Sequence, residues 1–206
     1  ERELIELLAV DIFRADPGNT DGYVASGGTE ANIQAIWIYR NYFLQEHHAK
    51  HAEIVILASE DTHYSVVKAA NLLNIDYIPI PVDGETRVIL EHKLDEIIGQ
   101  TKKSGKKHVI VLSNVATTMF GSVDDPDVYA HYLNKHEVPF KLHLDAAFGG
   151  FIYPIAHPEN NTHFQNPYVS SITLDAHKML QAPYGTGIFL ARKGLMQYVF
   201  TREASY

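Results

Sequence analysis

The chain contains no cysteine. That excludes disulfides, cysteine-ligated zinc and a cysteine nucleophile. Basic residues are in deficit: 17 Lys and Arg face 25 Asp and Glu, a formal net charge of −8 with histidine neutral. Such a chain is a poor partner for nucleic acid or for an anionic membrane surface, although a local anion site is compatible with it. No apolar run reaches the roughly 18 residues that span a bilayer, so no membrane partner is expected. The opening Glu1-Arg2-Glu3-Leu4 leads straight into a helical pattern and not into a signal peptide, and a cytoplasmic protein is expected. Internal repeats and low-complexity tracts are missing. So are a G-x-G-x-x-G fingerprint and a P-loop, which sets nucleotide readings back.

What is present is 206 residues, 46% of them hydrophobic, enough for one domain with a sizeable core. Helical and strand patterns alternate almost throughout. Leu4, Ile5, Leu7, Leu8, Ile12 and Phe13 make an apolar face on a helix over 1–14. Further helices are predicted from 27 to about 45, over 64–73 and 90–101, and from 125 to about 135, the last with Pro126 near its first turn. Strands are predicted at 22–25, 54–57, 76–80, 109–112, 142–145, 169–174 and 187–191. The continuous run Ile54-Val55-Ile56-Leu57 suits a strand buried on both faces. The basic stretch 102–107 and the Pro-, Asn- and His-rich stretch 154–168 are predicted to be surface loops. This alternation predicts an α/β fold, a mostly parallel sheet with helices on both faces, and a ligand site at the carboxyl ends of the strands.

With 12 histidines in the chain, any single one carries little weight. Glu46-His47-His48-Ala49-Lys50-His51 comes nearest to a metal-ligand cluster, but it reads as a polar helix end and no metal site is expected.

Five segments at strand ends carry chemistry. Ser171-Ile172-Thr173-Leu174-Asp175-Ala176-His177-Lys178-Met179 places a lysine where an apolar strand empties into a Gly-rich turn. Two readings stand: a Schiff-base former, its amine freed by desolvation, or a lysine snorkelling from a strand end. In Ser26-Gly27-Gly28-Thr29-Glu30-Ala31-Asn32 two glycines precede a helix. Free N–H groups and the Thr29 hydroxyl there suit a phosphate, or Ser26 or Thr29 merely caps the helix. His143-Leu144-Asp145-Ala146-Ala147 ends an apolar strand in a carboxylate that needs a cationic or hydrogen-bonding partner. A protonated pyridine nitrogen is one such partner, with Ala147 as a flat floor for a ring; a turn aspartate is the alternative. In Glu60-Asp61-Thr62-His63-Tyr64-Ser65, His63 either stacks on a planar cofactor or lies at the surface. Asn114-Val115-Ala116-Thr117-Thr118 adds hydroxyls at the same edge, or forms a turn.

Together these segments, in this order and spread over nearly the whole chain, resemble the group II pyridoxal-phosphate-dependent amino-acid decarboxylases (the tyrosine, aspartate, glutamate and histidine decarboxylase-like enzymes). The resemblance implies the type I, aspartate-aminotransferase-like large domain, with pyridoxal 5'-phosphate as cofactor, an L-amino acid as substrate, CO2 and an amine as products, and a homodimer. It implies that residues 1–206 form the large cofactor-binding domain, without the N-terminal segment and the small C-terminal domain of relatives about twice as long. It implies that Lys178 holds the cofactor as a Schiff base and that Asp145 pairs with the ring nitrogen. Ala147 and His63 would sandwich the ring, His63 on the substrate side. Gly28, Thr29 and His177 would bind phosphate, and Thr117 would sit near the ring hydroxyl or Asp145.

Two departures stand out. Ala116 occupies a position where many relatives carry glycine. Asp175 stands where some carry a neutral residue, and a carboxylate there would repel phosphate. The wording of the motifs leans toward a tyrosine or aspartate substrate. Other type I enzymes, an aminotransferase or a carbon–carbon lyase, and a non-catalytic truncated relative are the competing readings.

Overall fold

A computed structural model describes residues 1–200. The last six residues of the span 1–206 expected to form one domain lie outside the described residues. Seven strands make one sheet: β1 (Thr20–Ala25), β2 (Ile54–Ser59), β3 (Asp76–Ile80), β4 (His108–Asn114), β5 (Phe140–Asp145), β6 (Val169–Asp175) and β7 (Gly187–Arg192). Their order across the sheet is β1-β7-β6-β5-β4-β2-β3. The neighbours from β6 through β3 are parallel, whereas β7 runs antiparallel to both β6 and β1. The turn between β6 and β7 is too short for a helical crossover, so the chain doubles back.

Helices α1 (Arg2–Leu7), α2 (Gly28–Glu46), α3 (Tyr64–Leu73), α4 (Glu91–Lys103), α5 (Pro126–Lys135) and the short α6 (Tyr153–Ala156) cover both faces of the sheet. The period-2 pattern of the strands decides which face each side chain takes. Val55, Leu57, Val109, Val111, Leu142, Leu144, Ile172 and Leu174 pack with α1, α4 and α5. Ile54, Ile56, Ile110, Leu112 and Phe189 pack with α2 and α3. On β5 and β6 the α2 face is polar instead: the alternation that points Leu142, Leu144, Ile172 and Leu174 one way turns His143, Asp145, Ser171 and Thr173 toward α2.

Two elements differ from the periodicity reading. The predicted helix over 1–14 is α-helical only through Leu7 and widens into a π-helical turn, Leu8–Ile12, with a bond from Phe13 N–H to Leu8 C=O. The wider turn lets Ala9 and Phe13 both be fully buried. The predicted loop over 154–168 starts as α6, where Pro154 in the first turn presets the helical φ. No helix among the described residues is long and apolar enough to cross a membrane.

Registers Asn114↔Asp145, Asp175↔Gly187 and Ala25↔Gly187 bring the strand ends to one edge. Gly187 is needed there, because a Cβ on it would lie 2.5 Å from the backbone of Gly27. A buried carboxylate props the same edge. Asp124 Oδ2 accepts from the backbone N–H of Asn114 at 2.9 Å and from its side-chain amide at 2.8 Å; that amide also donates to Ser59 Oγ at 3.0 Å. Asn114 Oδ1 in turn accepts from Thr62 at 3.2 Å.

Burial pushes the Asp124 carboxyl up to about 6. A folded-state value above the unfolded one means that the native state holds the proton more tightly, so stability falls as pH rises from about 4 through about 6. The loss is about 3 kcal/mol. Asp124→Asn keeps the accepting oxygen without the charge. It is expected to flatten that slope and raise the melting temperature at pH 7, as thermal melts between pH 4 and 7 would show.

Candidate active site

The loops that follow β1, β2, β4, β5 and β6 surround a cavity of about 770 Å³. Its size suits a cofactor with a small substrate. Each residue singled out in the sequence (Gly28, Thr29, His63, Thr117, Asp145, Ala147, His177 and Lys178) lines this one cavity.

Lys178 and Asp175 face each other at the end of β6, with Nζ 3.0 Å from Oδ2. Asp175 is buried, its side chain 4% exposed, whereas that of Lys178 is 30% exposed and the amine can be reached from the cavity. His177 Nε2 lies 3.8 Å from the same carboxylate oxygen. His177 Nδ1 is buried with no hydrogen-bond partner among the described residues, and so is Asp175 Oδ1. Buried polar atoms of this kind are rare unless a ligand or water satisfies them.

At the start of α2, Gly27 supplies no side-chain cap; Glu30 and Ala31 N–H bond the Gly27 carbonyl, which leaves the N–H groups of Gly28 and Thr29 at the cavity wall with the dipole's positive end. Glu30 turns back from that end: it accepts from Tyr23 Oη at 2.6 Å and from the Ser26 backbone N–H at 2.8 Å. Gly28 is required by space, because a Cβ there would lie 2.8 Å from Asp175 Oδ2 and 3.0 Å from Ala147 Cβ. Gly28→Ala is therefore expected to displace the groups lining this wall and weaken binding of a phosphorylated ligand in this cavity about 10–100-fold, the equivalent of 1–3 kcal/mol of overpacking. Equilibrium titration of that ligand measures it.

Asp145 ends β5. Its Oδ2 accepts from the Asn32 amide at 2.7 Å and its Oδ1 from the Ala147 backbone N–H at 3.2 Å. Desolvation raises its pKa, opposed by the bonds from Asn32 and Ala147 and by the charges of Lys178 and His63. The group would gain from a cation beside it. His63, N-cap of α3, is half-buried, and desolvation lowers its pKa. Its Nδ1 is 2.9 Å from Ser65 Oγ and accepts from the Ser65 backbone N–H at 3.3 Å. Ala116 adopts φ +59°, where glycine costs least, and opens a tight turn. Thr117, expected near the ring hydroxyl or Asp145, lines the cavity with its hydroxyl 2.7 Å from Ser122 Oγ. Asp145 is held by Asn32, which sequence reasoning passed over. The available signal was the i, i+4 spacing of Asn32 from Gly28, which puts an amide on the buried face one turn into α2.

The cavity therefore joins an amine, a buried carboxylate starved of a cation, an imidazole, a small apolar floor and an open helix N-terminus with an unpartnered imidazole nitrogen nearby. The residues fit a phosphorylated pyridine aldehyde. Residues 2–206 match the pyridoxal-dependent decarboxylase conserved domain. The chain belongs to that family. Its cofactor is pyridoxal phosphate. The chain is 59% identical over 206 residues to a tryptophan decarboxylase of Clostridium sporogenes, covering all of this chain and 49% of that protein. It is 33% identical over 192 residues to a probable L-aspartate decarboxylase of Halobacterium salinarum, covering 93% of this chain and 48% of the relative. In fold it is similar to the glutamate decarboxylase domain of a Vibrio parahaemolyticus protein, with a TM-score of 0.83 at 22% identity over 96% of this chain and 44% of that one. The chain spans about half the length of the curated relatives it matches.

Proposed function

We propose that these residues are the cofactor-binding half of a cytoplasmic, homodimeric decarboxylase that converts an aromatic L-amino acid, tryptophan first, to its amine and CO2. The observation that carries the reading is the meeting of Lys178, Asp145 and the open end of α2 in one cavity. The region 1–206 would then be the large domain of a longer protein.

Pyridoxal phosphate, when bound, supplies a conjugated ring that accepts the electrons of the Cα–carboxylate bond as CO2 leaves. Lys178 would anchor it through its amine. The first-turn N–H groups at Gly28 and Thr29, with His177 Nδ1, would hold the phosphate. Asp145 would keep a proton on the ring nitrogen, because an ion pair is the one state in which its buried carboxylate is well compensated. Ala147 would support one ring face and His63 the other, on the substrate side. Thr117, its hydroxyl shared with Ser122, would shape the rim next to the ring. Asp175 would compensate the Lys178 ammonium while it is free, and that role replaces a phosphate contact.

Two observations support an aromatic substrate. Tyr64, Met119, Phe148 and Tyr184 line the cavity, and Lys178 is the only Lys or Arg among its described lining residues, against Glu30, Asp145 and Asp175, with Asp61 already paired to Arg87. An acidic side chain would meet repulsion. The relative at 59% identity is named for tryptophan, which moves the substrate away from the tyrosine or aspartate that the motifs suggested. Exposed apolar side chains lining the cavity, Tyr64, Met119 and Tyr184, support covering by a second copy.

The test is to incubate the full-length protein and pyridoxal phosphate with tryptophan, tyrosine, histidine and aspartate and to identify the products. Tryptamine with stoichiometric CO2 is expected. A keto acid, an aldehyde or no product would overturn the reading.

A further inference from the structure

Beneath the cavity floor a polar chain runs between α2 and the sheet. Asn32 Nδ2 is 2.7 Å from Asp145 Oδ2 and 3.0 Å from Ser65 Oγ, and its Oδ1 is 3.1 Å from His143 Nε2. His143 Nδ1 is 2.6 Å from Ser171 Oγ, which also bonds Tyr39 Oη, and its Nε2 is 2.9 Å from Thr173 Oγ1. Asn32, Ser65, His143, Ser171 and Tyr39 are all buried.

The donors in this chain can be assigned. Burial pushes the His143 imidazole down to about 3, so it is neutral and carries one N–H. Asn32 cannot present its oxygen to an ionised Asp145 at 2.7 Å, so the amide nitrogen faces the carboxylate and the oxygen faces His143. That oxygen needs a donor, which places the His143 proton on Nε2, 3.1 Å from the amide oxygen and shared with Thr173 Oγ1 at 2.9 Å. Nδ1 then accepts from Ser171 O–H, and Ser171 accepts from Tyr39 O–H. On the other side, the second Asn32 N–H goes to Ser65 Oγ, leaving the Ser65 hydroxyl proton for His63 Nδ1 at 2.9 Å. Every bond from Tyr39 to Asp145 donates in one direction, and one amide orients two cavity groups at once.

We infer that Asn32, held in a single orientation by His143, is the positioning residue of the site, keeping Asp145 an acceptor toward the cofactor ring nitrogen and fixing the ring of His63 through Ser65. Reversing the amide would set its oxygen against the carboxylate and its N–H against the His143 donor, so the orientation is enforced from both ends. The titratable groups that face Asp145 besides this chain are Lys178 and His63. The inference rests on the proposed pairing of Asp145 with the ring nitrogen.

The experiment uses the full-length holoenzyme loaded with ring-15N pyridoxal phosphate. Nitrogen NMR of the bound cofactor reads ring protonation directly, alongside kcat, KM and thermal melts. Wild type is expected to show a protonated ring nitrogen. Asn32→Leu, similar in volume, removes the amide that donates to Asp145, so the buried carboxyl takes up a proton more readily; it is expected to lose ring protonation near neutral pH and about 10–100-fold in kcat, the range for a residue that orients a working ligand. His143→Leu is expected to do the same. His143→Gln, which keeps an N–H at the Nε2 position, is expected to recover most of both. Unchanged ring protonation in folded Asn32→Leu and His143→Leu, with wild type protonated, overturns the inference. So does His143→Gln behaving like His143→Leu. An unprotonated ring nitrogen in wild type instead overturns the Asp145 pairing on which it rests.

Discussion

Lys178→Ala in the full-length protein is expected to abolish turnover and remove the visible absorbance that pyridoxal phosphate has when bonded to a protein amine. Loss of a covalent residue costs on the order of 10^4–10^6 in kcat. The substitution also leaves Asp175 buried beside a vacant amine site, with His177 Nε2 3.8 Å away as the remaining cationic candidate. Part of any effect could therefore come from local rearrangement. Lys178→Arg separates the two causes, because it keeps a cation next to Asp175 and cannot serve as a free amine. Both variants are expected to lose the visible band and turnover, whereas the thermal melt is expected to fall more for Lys178→Ala. An unchanged spectrum in either purified variant removes Lys178 from its role.

Asp145→Ala is expected to retain bound cofactor and lose about 10^2–10^3 in kcat, the cost of deleting one preorganised electrostatic partner in a water-poor site. Binding survives in this expectation because the phosphate contacts proposed at α2 and the anchor proposed for Lys178 are untouched. The chemical step suffers because nothing then holds a proton on the ring nitrogen. KM is expected to change little, since Asp145 would act on the ring and not on the substrate. Near-normal kcat at saturating cofactor would refute the role.

Much of this was legible in the residues. The unbroken apolar runs at 54–57 and 109–112 mark strands buried on both faces, and they are the centre of the sheet. The alternation Leu142-His143-Leu144-Asp145 and Ser171-Ile172-Thr173-Leu174-Asp175 already sorts polar from apolar faces by its period of two. The eight candidate residues fall at strand ends, and the parallel sheet collects such ends along one edge, so they line one cavity. The antiparallel return of β7 and the π-helical turn after α1 were not legible, because each depends on what its backbone packs against. The partner of Lys178 belongs in the same class. Asp175, three residues away, read in the sequence as a misfit beside phosphate, yet the turn after β6 brings its carboxylate to 3.0 Å from the amine.

By itself the sequence determined the chemistry: which residue types stand at which strand ends, in an order that suits a phosphorylated pyridine cofactor. Periodicity and turn residues are local properties, and they survive without a fold. Only the tertiary structure decided which of these groups hold one another. It put Thr117 with Ser122, Asp145 with Asn32, and Asn32 between His143 and Ser65, contacts that span up to 113 positions in the chain. The reason is physical: a hydrogen bond between a helix and a strand far apart in sequence exists only once the sheet register and the rotation of α2 are set, and neither is written in any single segment.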